Sequence, residues 1–255
     1  MELISENRMF LLEEIVKKNF SSKYKGSVLG ILWSFLKPLL MMITLTIVFS
    51  TLFNNSIENY PVYLLSGRCI FDFFSFATNV SMNAIKGNQN ILKRTPAPKI
   101  IFILGGVLSE LLNFMISLII LLAVMIVTKS TFPITIPLSI IPIISLLFLI
   151  TGIGLILSIV CVYFTDIQHL WGVITMIIMY GCAIFYPMNI IPEPYHKFMI
   201  LNPIYWIIEQ FRDLALYGII PDFLNMLNAF LFSIIILIFG IIIFKKYEQK
   251  VTMKF

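Results

Sequence analysis

Apolar residues fill this chain in six long stretches, and the polar gaps between them alternate in charge. A stretch of about 20 apolar residues crosses the hydrocarbon core of a bilayer. The pattern predicts an all-α integral membrane protein with spans at about 29–53, 61–80, 100–127, 143–164, 167–186 and 223–244. A segment at 1–28 precedes this six-span domain (29–244), and a basic tail at 245–255 follows it. Between Met9 and Phe20 the period changes. Met9, Leu11, Leu12, Ile15, Val16 and Phe20 share one face of a helical wheel, with Glu13, Glu14, Lys17 and Lys18 opposite. Such a helix lies flat at a membrane interface. Glu13–Lys17 and Glu14–Lys18 are i,i+4 pairs in the favourable order.

Charge sets the orientation. With both termini on the cytoplasmic side, the outer pieces hold only Lys129, Lys197 and Arg212. Arg68 lies within the second span, and the other 14 of the 18 Lys and Arg fall on the inner side. Basic residues mark the cytoplasmic face, so both ends are placed inside. The gap from Asn83 to Lys99 is the most basic inner loop, with Lys86, Lys93, Arg94 and Lys99.

Composition strengthens the membrane reading. Hydrophobic residues make up 59% of the chain and charged residues 12%. A soluble domain carries about 25% charge. The net charge of +5 sits beside the spans, which points to anionic lipid headgroups and not to nucleic acid. Cys69, Cys161 and Cys182 lie in apolar stretches with no CxxC pair, and His169 and His196 lack metal-ligand spacing. Packing roles are expected for the cysteines, and no metal or cofactor is expected in the chain. No GxxxxGK[ST] phosphate loop is present, so any ATP-driven step needs ATP and Mg on another subunit.

Three ionisable residues fall in the membrane interior, Arg68, Asp72 and Glu110, while Lys37 sits near the inner end of the first span. A charge at mid-membrane costs about 2.5–3.5 kcal/mol on insertion scales. Arg68 and Asp72 are four residues apart, and Glu110 falls at a similar depth on the third span. One cluster facing protein or a pore is expected. Pro187, Pro192 and Pro194 interrupt the segment between spans 5 and 6. Asn202 then caps a helix with Pro203 at its first position. Its apolar face would carry Ile204, Ile207, Ile208 and Phe211, with Glu209, Arg212 and Asp213 opposite, and it would lie at the outer surface.

Several segments resemble one family. Lys23-Tyr24-Lys25-Gly26-Ser27-Val28-Leu29-Gly30-Ile31-Leu32-Trp33-Ser34, with Lys37-Pro38, is similar to the start of ABC-2 type permeases that export polysaccharides such as O-antigen and teichoic acid. Ile91-Leu92-Lys93-Arg94-Thr95-Pro96-Ala97-Pro98-Lys99 resembles their loop between spans 2 and 3. Tyr163-Phe164-Thr165-Asp166-Ile167 resembles their turn between spans 4 and 5. Leu201-Asn202-Pro203-Ile204, with Glu209 and Arg212, resembles their outer segment.

The resemblance implies a half-transporter in a bacterial inner membrane. Its partners would be a second copy, two ABC ATPase subunits and a lipid-linked glycan. The inner loop would be a coupling helix that contacts the ATPase through Asn88, Gln89, Asn90, Lys93 and Arg94. The amphipathic start, with Glu13 and Lys17, would be a second contact. Short outer re-entrant helices would form a gate with Asn202, Pro203, Glu209 and Arg212. A glycan offers apolar C–H faces and polar edges, which aromatic side chains can accommodate. Phe71 and Phe74 in span 2, and Trp171, Tyr180, Phe185 and Tyr186 in span 5, are therefore expected to line its passage. Two other readings compete. One is an ABC-2 exporter of drugs or lipids. The other is a membrane enzyme using Asp72 and Glu110 on a lipid-linked substrate.

Overall fold

The structure, a computed structural model, describes residues 2–52, 57, 59–95 and 97–252. Every regular element among them is helical, and no strand occurs there. Ten α-helices follow one another: α1 Glu2–Ser22, α2 Trp33–Leu52, α3 Tyr60–Gly87, α4 Gln89–Arg94 and α5 Lys99–Val127. The second half adds α6 Ile140–Tyr163, α7 Ile167–Tyr180, α8 Glu193–Ile200, α9 Pro203–Arg212 and α10 Phe223–Thr252. The expected gap at 54–60 and the end of the tail lie partly outside the described residues.

Four stretches are long and apolar enough to cross a membrane: Gly30–Phe49, Lys99–Val127, Ile136–Tyr163 and Phe223–Val251. The other two expected spans deviate, each for a physical reason. α3 is 28 residues long, about 42 Å at 1.5 Å per residue. Its length suffices, but Arg68, Asp72 and Lys86 interrupt its apolar surface. It also continues past residue 80, and so takes up part of the expected inner loop. α7 has 14 residues and ends at Tyr180 instead of 186. Ala183 then takes a left-handed backbone, φ 49°, that no helix accepts.

α3 is the axis of the fold. It packs against α5 and α6, and also meets α2, α7 and α9. α10 lies along α6. Those two backbones touch at glycines: a Cβ on Gly152 would meet the Ile236 carbonyl oxygen at 2.6 Å, and one on Gly240 would strike Gly152. Small residues allow this close approach without a side chain between the helices. α1 lies on α5, where Gly105 leaves room for Ile15. Of the expected apolar face of α1, Leu11, Leu12 and Ile15 make this contact, while Met9 stays exposed. α2 is the least buried of the four long apolar stretches, with Phe35, Leu39, Met42 and Leu45 only partly buried against the core.

Candidate functional site

The first polar centre lies where α7 breaks. Residues 181–187 are irregular yet enclosed, so their carbonyls need donors. Neighbours supply them. The Tyr60 hydroxyl donates to the Phe185 carbonyl at 2.8 Å. The Tyr63 hydroxyl is shared between the carbonyls of Ala183 and Tyr186, 2.9 Å from each. Asn202 Nδ2 reaches the carbonyls of Ile178 and Gly181, while its Oδ1 caps α9 by accepting from the Ile204 amide at 3.1 Å.

Arg212 completes this centre. Its side chain has no exposed surface. Nη1 donates to the Ala183 carbonyl and to Glu209 Oε1, both at 3.1 Å. Nη2 donates to the carbonyls of Tyr63 and Ile184, and Nε to Ser66 Oγ at 3.4 Å. The guanidinium also lies 3.6 Å from the Tyr63 ring centre, a cation–π contact. A Cβ on Gly67 would approach Nη2 to 2.6 Å, so this position of α3 must stay small. The arginine therefore joins α3, the broken end of α7 and α9.

This corrects the expected outer helix. Ile204, Ile207, Ile208 and Phe211 are buried as their spacing required, but so are Gln210 and Arg212. α9 is not a surface helix with its charges in water; of its two charged residues, Arg212 is sealed and Glu209 remains part-exposed. A π-turn, Asp213–Tyr217, follows it. Burial pushes the Asp213 carboxyl up to about 6; Glu209 adds to the rise and Arg212 opposes it.

The second centre is on α3 and α5. Arg68 and Asp72 form a two-point pair, Nε–Oδ2 at 3.1 Å and Nη2–Oδ1 at 3.0 Å. Glu110 does not join them. It is 2% exposed and takes Lys23 Nζ at 2.6 Å, with Asn113 Nδ2 at 3.1 Å. The expected three-member cluster is thus two separate pairs, because the chain after α1 delivers a nearer cation. Tyr24 follows Lys23, donating to Asn113 at 2.9 Å and bonding Ser34. Lys23, Tyr24 and Asn113 were not singled out as ionic or polar anchors from sequence. An acid at Glu110 that needs a cation was the only available signal.

The aromatic residues also need correction. Phe71, Phe74, Trp171 and Phe185 are buried in the core of this single chain and line no open passage there. Phe74 lies 6.1 Å from Trp171, whose indole donates to Thr78 at 3.1 Å. Tyr180 is exposed and Tyr186 part-exposed, with a hydrogen bond from the Tyr186 hydroxyl to the Tyr180 carbonyl. Phe76 is the exposed phenylalanine of α3.

At the far end from Arg212, α1, α3, α4 and the α6–α7 turn meet. Lys18 donates to Asn88 Oδ1 at 3.2 Å, joining α1 to the start of α4. Lys86 donates to Thr165 at 3.1 Å, joining α3 to the α6–α7 turn. Leu92 anchors α4, while Asn90, Ile91, Lys93 and Arg94 are exposed and Asn88 and Gln89 partly so. Glu13 and Lys17 pair at 2.8 Å on the exposed side of α1, and the hydrogen bond to Glu13 raises the Lys17 pKa. Lys18 is given to Asn88, and Glu14 lies nearer Lys17. No group of three His, Cys, Asp or Glu side chains that could hold a metal occurs among the described residues.

An all-helical membrane protein with a broken seventh helix and a polar helical platform is thus in place. Residues 11–216 match the ABC-2 type transporter family, and the chain belongs to it. It is 27% identical to an O-antigen export system permease protein, RfbA, of Klebsiella pneumoniae, over 94% of this chain and 93% of the relative. It is 25% identical to the polysialic acid transport protein KpsM of Escherichia coli, over 93% of each. The capsule polysaccharide export inner-membrane protein CtrC of Neisseria meningitidis is 20% identical over 94% of this chain and 90% of the relative.

Proposed function

We propose that this chain is the permease subunit of an ATP-driven exporter that moves a lipid-linked polysaccharide across the bacterial inner membrane. The observation that carries the reading is similarity along almost the full length to permeases of O-antigen, polysialic acid and capsule export. In this reading α3 and α7 count as spans, which gives six crossings. The charge distribution places both termini in the cytoplasm. α3 inserts beside its neighbours, its Arg68 neutralised by Asp72. α7 crosses with the help of the irregular segment behind it, whose carbonyls are satisfied within the protein.

The α1–α4 platform then faces the cytoplasm and receives force from a separate ATPase. Asn88, Gln89, Asn90, Lys93 and Arg94 form the main contact, and Glu13 and Lys17 the second. The segment joined by Arg212 and Asn202 covers the outer end, so a change transmitted through α3 reaches α9 directly. Two copies enclose the path for the glycan. Of the aromatic residues of α3 and α7, the exposed Phe76 and Tyr180, not the buried phenylalanines, are the surface available to it.

The test is copurification followed by transport. A tagged chain should bring down an ATP-hydrolysing subunit at one per permease. Vesicles holding both should move lipid-linked glycan only with ATP and Mg. Export by this chain alone, or turnover of the lipid-linked sugar without transport, would refute the proposal.

A further inference from the structure

One part of α3 remains uncovered beside α2. Phe76 is 42% exposed there, and two ammonium groups stand over its ring. Lys37 Nζ lies 5.3 Å from the ring centre and Lys23 Nζ 5.6 Å. The nearby acids are already engaged: Glu110 takes Lys23, and Asp72 takes Arg68. Lys37 forms no ion pair among the described residues. The patch therefore carries one unbalanced positive charge beside an apolar span, where isolated charge is unfavourable. We propose that Lys23, Phe76 and Lys37 form a site for the net-anionic phosphate headgroup of a membrane lipid at the inner level of the bilayer.

Depth supports that assignment, which rests on the orientation proposed above. Lys37 is four residues into α2, about 6 Å from its inner end. That is the level at which a phosphate meets ester groups and acyl chains. The surroundings select a lipid over a dissolved anion. Trp33, Leu40 and Met41 on α2 are exposed. The site thus opens sideways onto acyl chains. The charge selects among lipids. Lys23, Lys37 and Arg68 face two carboxylates, Glu110 and Asp72, so a net-negative phosphate completes the balance, whereas a choline headgroup brings a further cation towards Lys37. Tyr24 and Asn113, already bonded to each other beside Glu110, are neutral neighbours.

Native mass spectrometry of the purified full chain tests this. Phosphatidylglycerol, phosphatidylcholine and inorganic diphosphate would be titrated separately and in competition. Retention of phosphatidylglycerol over phosphatidylcholine is expected. Lys37→Gln should weaken it roughly fivefold or more, and Lys37→Arg should preserve it. Circular dichroism would establish that both variants are folded. Equal retention of the two lipids, or unchanged binding by folded Lys37→Gln, overturns the proposal. Displacement of the lipid by micromolar inorganic diphosphate would also overturn it, by assigning the site to a soluble anion. No glycan or ATPase enters this experiment, so its failure leaves the export reading standing. Loss of export in cells, conversely, would not alter the lipid binding measured here.

Discussion

Two arginines sit against α3, and the fold treats them oppositely. Arg212 is sealed from solvent and surrounded by three carbonyls, a hydroxyl, a carboxylate and an aromatic ring. Arg68 is answered mainly by Asp72, with Met179 sulfur at 3.1 Å, and its side chain remains 21% exposed. The first arginine cannot leave its place without orphaning backbone groups of α3 and of the broken α7. The second needs only one neighbour and keeps access to whatever lies beside α3. A charge in a membrane protein is thus a clamp when backbone carbonyls receive it, and an open contact when a single carboxylate does.

The strongest way to break this contrast is Arg212→Met. It should cost about 3–5 kcal/mol, because Glu209 and the carbonyls lose their donor. Extracted protein should unfold well below wild type, with Arg212→Lys recovering only part of the loss. Glu110→Leu lies between the two cases. It leaves Lys23 unpaired, but Lys23 is part-exposed and can turn to water, so the cost should be about 1–3 kcal/mol. Lys23→Met with Glu110→Leu should recover much of it in a double-mutant cycle of thermal stability.

Arg68→Leu should change stability by less than about 1 kcal/mol if Asp72 is replaced by Leu as well. Glycan flux at equal membrane levels then decides the role of the pair: an open contact used in transport predicts reduced flux, and wild-type flux would make it purely structural. The smallest effect is expected at Asp213. Burial raises its folded pKa from 3.8 to about 6, so the native state holds the proton more tightly than the unfolded chain. That contribution is present below about pH 4 and is lost as pH rises to about 6. Asp213→Asn should therefore flatten the fall in Tm between about pH 4 and 6, by roughly 2 °C. Glu209, Arg212, Tyr205 and Tyr217 are the charged or titratable groups coupled to the same carboxyl and should be monitored with it.

The same contrast explains what could be read from sequence. The spacing of Ile204, Ile207, Ile208 and Phe211 identified the buried side of α9, and Asn202-Pro203 marked its start. Arg212 was assigned to the opposite, wet side, since helical periodicity ranks arginine as polar and carries no information on distant carbonyls. The Arg68–Asp72 pair is local, four residues apart on one helix, and was legible. Glu110 was placed with it by depth alone. Its true partner, Lys23, is 87 residues away and follows α1, a long-range pairing that hydropathy does not encode. The end of α7 at Tyr180 was missed for a related reason. Residues 181–187 look apolar enough to continue a span, and only the donors from Tyr60, Tyr63, Asn202 and Arg212 make an irregular backbone affordable there. Phe71 and Phe74 show the limit for aromatic residues: composition names them, but the packing of α3 against its neighbours decides which faces outward.

The most direct test of the whole account is to remove the gene and locate the surface polymer. Complete lipid-linked polysaccharide should accumulate on the cytoplasmic side, with synthesis intact and none at the surface, and the wild-type chain should restore export. Normal surface polymer after the loss, or accumulation of unfinished chains only, would contradict a role in export.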